Sequence, residues 1–414
     1  MANLTECFVA YLLRRTAEIR GDILDRAAAC YQDYLAVAAA GARKNCARWA
    51  PLCAALPSGP AALIGYPETV DPLSAALING FNAHALELDD GQRFAMIHLG
   101  ACVISALEAA GAIWPIAREK FLAGIVIGYE AACRASIAMQ PSHKKKGYHT
   151  SGTCGTIGAA AGVAAALEMD ARQLKRVLSL AAGSAAGMLE LQEQNSEVKP
   201  YNLGRAAMDG LAAARMGLAD FEVPDDVLGG ERGFFRTFSE DYDPQKLTEE
   251  TDCYEIERIY VKPYASCRHS HSAVEAAIRL SGKIDPKKID RVLVETYRLG
   301  VKGHDHTEIT GTASAKLSTP YAVAAALLYG RADLRVFEPP DAAAIALAAK
   351  VHVAEDEALS AESPRKRIAV VTVYQTDGVQ ESCRVDYAKG DPENPMTDAE
   401  RKQKIEMLNA FSNE

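Results

Sequence analysis

No C-x-x-C pair occurs among the ten cysteines of this 414-residue chain. Their scatter excludes a zinc ribbon or redox dithiol and gives no support to a ferredoxin-type iron–sulfur cluster. No Gly-Lys-Ser/Thr closes a phosphate loop, and no H-E-x-x-H offers a metalloprotease zinc site. Basic charge is not in excess. Lys and Arg total 45 against 54 Asp and Glu, a net charge of −9, which argues against nucleic acid as a partner. A small anion still fits, since a cationic pocket can sit inside an acidic protein. The longest apolar stretch, near 121–129, falls short of the roughly 20 residues a bilayer span needs. At the N-terminus Glu6 precedes the apolar run 8–13, and Arg14 and Arg15 follow it, the reverse of a secretory leader. Internal repeats and low-complexity segments are also missing. These absences leave the expectation of a cytoplasmic protein with reduced thiols and no membrane partner.

Apolar residues make up 49% and charged residues 24% of the chain, the balance of an ordinary globular protein. The length implies two domains. Nearly everything before residue 255 reads as helix. Asp71-Pro72 predicts an N-cap followed by proline in the first turn, and Asp170-x-x-Gln173 reads as a capping box. Past residue 256 the pattern changes. Ile256–Val261, Ile289–Tyr297, Arg367–Gln375 and Cys383–Tyr387 read as strands, with helical segments near 271–281, 315–329 and 341–349. Helix returns after Thr397-x-x-Glu400, another capping box. The expected fold class is mainly α: a large discontinuous helical domain, 1–255 and 389–414, and a smaller α+β domain, 256–388.

The run 147–162 carries Gly152, Gly155, Gly158 and Gly162 at three- and four-residue spacing behind His149. On a helix this makes a bare stripe that a neighbour can approach closely, so packing accounts for the glycines. His149 stands before the helix start, where backbone N–H groups favour an anion. Lys144-Lys145-Lys146 lies just ahead of it; a solvated loop explains these lysines, and drawing in an anion is the other reading.

Three further clusters concentrate polar residues. Glu87 and Asp90 share a helix face if the helix reaches that far, with His98 downstream. Two carboxylates near an imidazole can orient it or act as a base. Lys199 and Arg205 suit a carboxylate clamp. Lys262-Pro263-Tyr264-Ala265-Ser266-Cys267-Arg268-His269-Ser270-His271 follows a strand and opens a helix. His269 and His271, two apart, do not share a helix face, which weakens a metal reading. Cys267 needs a lowered pKa to act as a nucleophile, and a partly buried inert thiol is the plainer reading. Tyr321 offers a phenol acid or simply a core ring. These residues alone point to an acid–base enzyme for a small anion, or to a helical binding protein.

Five pieces of the chain resemble the MmgE/PrpD family, which includes 2-methylcitrate dehydratase, cis-aconitate decarboxylase and iminodisuccinate epimerase. They are N-G-F-N-A-H-A-L-E-L-D-D (79–90), G-Y-H-T-S-G-T-C-G-T-I-G-A-A-A (147–161), V-K-P-Y-N-L-G-R-A-A (198–207), K-P-Y-A-S-C-R-H-S-H (262–271) and L-S-T-P-Y-A-V-A-A-A-L-L (317–328). The resemblance implies a large helical domain formed by both chain ends and a smaller α+β lid. It implies a homodimer, a site in the cleft between the domains, and no metal or organic cofactor. By the same resemblance His98, His149, Lys199 and Tyr321 are the expected catalytic residues. Glu87, Asp90, Arg205, Lys262, Cys267, Arg268 and His271 are expected to bind a small polycarboxylate. Glu87, Gly91 and Cys267 stand where the decarboxylase branch has aspartate, threonine and histidine. The expected activity is therefore a hydro-lyase, with an epimerase or isomerase second and a decarboxylase third.

Overall fold

The computed structural model describes residues 3–193 and 196–413. The chain forms two compact units. The first holds residues up to 193, 198–259 and those from 401 on; the second holds 260–400.

The longer helices of the first unit are α1 (Leu4–Ala17), α2 (Gly21–Cys53), α3 (Pro72–His84), α4 (Gly100–Gly111), α5 (Arg118–Ile137), α6 (Thr150–Ala166), α7 (Ala171–Ser184) and α8 (Tyr201–Gly217). Their starts follow local chemistry. The Asp71 carboxylate accepts from the Leu73 and Ser74 amides at 3.1 Å each, and proline fills the first turn of α3. Asp170 and Gln173 close the expected capping box at the start of α7. A short antiparallel ribbon, Ser58–Ala62 with Thr69–Val70, interrupts the helices.

Helix α6 is the hub. Of its 17 residues all but Ala165 are buried, and it packs against α4, α5, α7 and α8. Such a helix has no polar face to spare. Its glycines do not form one stripe against one partner. A Cβ on Gly158 would lie 2.6 Å from the Gly128 carbonyl oxygen, and one on Gly162 would lie 2.8 Å from that of Gly124, both on α5. Gly155 instead meets Cys102 of α4, and Gly152 meets the Ala186 carbonyl. The 3.6-residue period sends the four toward three neighbours.

The second unit is a four-stranded sheet with helices α9 (His271–Ser281), α10 (Thr319–Tyr329) and α11 (Ala342–Ala348). Its strands are β1 (Ile289–Thr296), β2 (Val351–Glu355), β3 (Ala369–Gln375) and β4 (Gln380–Val385), in the order β2-β1-β3-β4. β1 runs parallel to β2 and antiparallel to β3, and β3 is antiparallel to β4. Val292 and Val294 of β1 pair with Val373 and Val371 of β3, and all four are fully buried. The expected strand at Ile256–Val261 shrinks to Tyr260–Val261. Ahead of it Glu255–Arg258 is a 3-10 turn, closed by Glu257 accepting from the Tyr254 amide at 2.8 Å. Local capping overrides the β-branched composition there.

Helix α12 (Asp398–Asn413) begins at the predicted capping box: the Thr397 amide donates to Glu400 at 2.7 Å. Lys404 and Leu408 are its buried residues. The Lys404 ammonium reaches Asp33 of α2 at 2.6 Å and donates to the Leu88 carbonyl at 2.8 Å. Among the described residues no helix is long and apolar enough to cross a membrane.

Candidate active site

The segment between α3 and α4 carries several titratable side chains in mutual contact. His84 closes α3. Glu87 and Met96 hold left-handed backbone angles, φ 54° and 52°. Non-glycine residues pay strain for this conformation, and such strain concentrates at functional sites. Between them a single oxygen of Asp89 holds two imidazoles: Oδ2 lies 2.8 Å from His84 Nδ1 and 3.1 Å from His98 Nδ1. His98 Nδ1 also faces the Asp90 carbonyl at 3.1 Å. Both acceptors can only accept, so Nδ1 of His98 carries hydrogen and its basic nitrogen is Nε2. The His98 amide is fixed by a 3.0 Å bond to Ser151 Oγ at the start of α6. His84 Nε2 lies 3.3 Å from Glu87 Oε1, although the two are not aligned as a hydrogen bond. Glu87 in turn forms a short ion pair with Lys199.

His149 precedes α6 as its N-cap residue and belongs to the same neighbourhood. Burial disfavours a charge on its ring, and Lys199, His84 and His98 add to that, so its pKa lies well below the ordinary histidine value. Its proton position follows from Asn202. The Asn202 amide nitrogen donates to the Met188 carbonyl at 3.2 Å and faces His149 Nδ1 at 3.0 Å. The carbonyl accepts only, so it fixes which way the amide points. Nδ1 of His149 is therefore the acceptor, and Nε2 carries the hydrogen. The two candidate histidines have opposite tautomers: His98 presents a lone pair at Nε2, His149 an N–H.

Two other expected residues of this unit have structural partners. Asp90 caps α4, accepting from the Gly100 amide at 2.9 Å and the Leu99 amide at 3.3 Å, with a short bond from the Tyr129 hydroxyl. Burial pushes its pKa up to about 6, against those donors. Arg205 donates to the carbonyls of Ser184 (3.0 Å) and Gly152 (3.1 Å) and pairs with Asp209 four residues on. It ties the 184–187 turn to α6, so the clamp reading of Lys199 with Arg205 gives way to Lys199 with Glu87. Of the lysine run, Lys146 reaches the Thr237 carbonyl at 3.5 Å.

In the second unit most candidates are likewise engaged. Arg268 forms a 2.7 Å ion pair with Asp391, donates to the Lys389 carbonyl at 3.0 Å and to His271 Nδ1 at 2.8 Å. Arginine cannot accept, so His271 carries its hydrogen on Nε2, which donates to the Ser266 carbonyl at 3.0 Å. Both ring nitrogens are thus in use. Tyr321 is fully buried. Its hydroxyl accepts from the Asp341 amide at 2.7 Å and donates to the Val336 carbonyl. Burial and the Asp341 amide, in opposition, leave its pKa at about 12, high for an acid. Lys262 is fully buried, and Cys267 Sγ stands 3.7 Å from His304 Nε2.

Among the described residues, His84, Asp89 and His98 could hold a divalent metal, with ligand atoms within 4.8 Å of one another. Two tetrahedral ligands at about 2.0 Å from zinc lie roughly 3.3 Å apart. The Asp89 contacts, 2.8 and 3.1 Å, are shorter and have the length of N–H···O hydrogen bonds. The donor set fits a proton-handling network better than a metal centre.

Residues 9–247 match the MmgE/PrpD N-terminal domain and 264–413 the MmgE/PrpD C-terminal domain. A cis-aconitate decarboxylase-like protein of Aspergillus oryzae is 25% identical over 357 residues, 78% of this chain and 73% of that protein. The cis-aconitate decarboxylase of Aspergillus terreus is 29% identical over 326 residues, 72% of this chain and 63% of its own length. The human cis-aconitate decarboxylase is 26% identical over 189 residues, 44% of this chain and 38% of its own. The chain thus spans less than two thirds of the last two relatives.

Proposed function

We infer, since this chain belongs to the MmgE/PrpD family, that it is an enzyme acting on a small carboxylate, and we propose a hydro-lyase that needs no organic cofactor. The observation that carries this reading is the pair of opposite tautomers around Asp89 and Asn202. A proton on a carbon next to a carboxylate needs a base within reach and a preorganised partner for the charge that develops.

In this reading Lys199, beside Glu87, anchors a substrate carboxylate. His98 Nε2 removes the proton from the adjacent carbon, and Asp89 stabilises the imidazolium that forms. The electron pair passes into the carboxylate as an enediolate-like anion, toward which His149 directs its Nε2–H. A neutral imidazole suits this role, because it donates without itself needing to be an acid. The hydroxyl on the next carbon then leaves as water, taking the proton that His98 had gained. One base thus serves both steps. Acid–base catalysis by one residue contributes about 10²–10⁴-fold, so the Lys199 and His149 donors must supply much of the remainder.

A decarboxylase is the second reading, favoured by the names of the relatives. It requires His98 to begin protonated and to deliver its proton to carbon after carbon dioxide leaves. The test is a panel of di- and tricarboxylates followed by NMR in deuterated water. Exchange with elimination supports the hydro-lyase; exchange with inversion alone turns the reading to an epimerase. Loss of carbon dioxide without prior exchange overturns it in favour of the decarboxylase. His98→Gln is expected to silence the reaction.

A further inference from the structure

Cys267 sits at the turn leading into α9, half-buried, with its amide donating to the Lys316 carbonyl at 2.8 Å. Its sulfur faces His304 Nε2 at 3.7 Å, within reach of an S–H···N hydrogen bond. His304 Nδ1 lies 2.8 Å from the Leu317 carbonyl. A carbonyl only accepts, so Nδ1 carries the hydrogen and Nε2 presents its lone pair to the thiol. His304 is itself held, since its carbonyl accepts from the Thr319 amide at 2.8 Å at the start of α10. This is the arrangement of a nucleophile with an oriented base.

Cationic side chains stand nearby. The buried guanidinium of Arg367 lies close enough to sense charge on Cys267. Arg268, the next residue, is balanced by Asp391 at 2.7 Å. Lys316 is paired with Glu338 at 2.6 Å. His269 stacks obliquely on His304, ring centres 5.4 Å apart, with its Nδ1 2.7 Å from the Tyr297 hydroxyl.

We propose that Cys267 and His304 form a thiol–imidazole pair that makes Cys267 the reactive thiol of this chain and its attachment point for conjugated unsaturated carboxylates. The thiol proton passes to His304 Nε2. The thiolate adds to the β-carbon of the alkene, forming an S–C bond as the C=C π bond breaks. The electron pair moves to the α-carbon and is quenched there by the proton from His304, leaving a thioether with nothing oxidised or reduced. The choice of acceptor rests on the hydro-lyase reading, whose products belong to that class; the reactivity of the pair does not.

The test uses the full chain at pH 7 with two probes, iodoacetamide and monomethyl fumarate, and follows each cysteine by peptide mass spectrometry. The exposed Cys7 and Cys46 serve as internal references. Cys267 should react roughly tenfold faster than either with iodoacetamide, since an ordinary thiol is only a few per cent ionised at this pH. His304→Gln should abolish that advantage. Equal rates in the wild-type chain overturn the pair, even if the variant fails to fold. Rapid alkylation by iodoacetamide with no monomethyl fumarate adduct on Cys267 overturns the ligand class. A chain silent toward every carboxylate that still shows the fast thiol would count against the hydro-lyase reading alone.

Discussion

Asn202 decides where His149 keeps its proton. Asn202→Asp replaces the donor facing Nδ1 with an acceptor, which draws the ring into the other tautomer and removes the N–H that the proposed mechanism directs at the developing charge. The expected result is a fall in kcat of roughly 10²-fold or more, with KM moving little; steady-state kinetics check it, and nitrogen NMR of His149 should report the changed tautomer. His143 gives a residue-scale prediction of a different kind. Burial lowers its pKa from 6.5 to about 4, and Lys146 adds to that. Its ring sits between the Phe238 carbonyl, 3.0 Å away, and Thr153 Oγ1, 2.8 Å away. The unfolded chain takes up this proton below pH 6.5, whereas the folded chain resists until about 4. Stability attributable to His143 is therefore complete above pH 6.5 and is lost as pH falls toward 4, by about 3 kcal/mol at roughly 1.4 kcal/mol per pH unit. Denaturant unfolding from pH 7 to 4 should show that slope, and His143→Gln should flatten it in part, because His149 contributes in the same direction.

Among the elements, α6 has the least room for change. A Cβ on Gly158 would meet the Ala132 Cβ and the Gly128 carbonyl oxygen, each at 2.6 Å. Gly158→Ala should destabilise the first unit by about 1–3 kcal/mol, read as a lower midpoint in urea; an unchanged midpoint would mean that α5 and α6 can separate freely. The elements also show what the sequence made legible. Caps at Asp71, Asp170 and Thr397 are local signals, and each begins its helix where expected. Strand β2 is not legible in the sequence, because Val351–Glu355 has only two β-branched residues and owes its place to pairing with β1. Three residues of the candidate site carry no assigned role in the sequence reading, although they lie in sight of the motifs. His84 and Asp89 stand inside the 79–90 segment, and Asn202 is three residues beyond Lys199. Side-chain direction, which separates them from Asp90, Arg205 and Tyr321, depends on long-range partners such as Tyr129 and Val336 that no local pattern encodes.

Across the whole molecule, one contact links the last helix to the candidate site. Lys404 neutralises Asp33 and donates to the carbonyl of Leu88, the residue between Glu87 and Asp89. Burial raises the pKa of the Asp33 carboxyl, and Lys404 opposes that shift. Lys404→Met should cost about 3–5 kcal/mol by stranding that carboxylate, and kcat should fall with it as the Glu87–Asp89 segment loses its tether. Thermal melts and kinetics on the same sample test both; a destabilised variant with full kcat would separate the tether from the chemistry.

The Lys404–Leu88 bond joins residues 316 positions apart in the chain. During synthesis the histidine-bearing segment emerges first and waits for those 316 residues before that partner arrives. Nascent chains should thus pass through a long interval in which the helices are assembled but catalysis is immature.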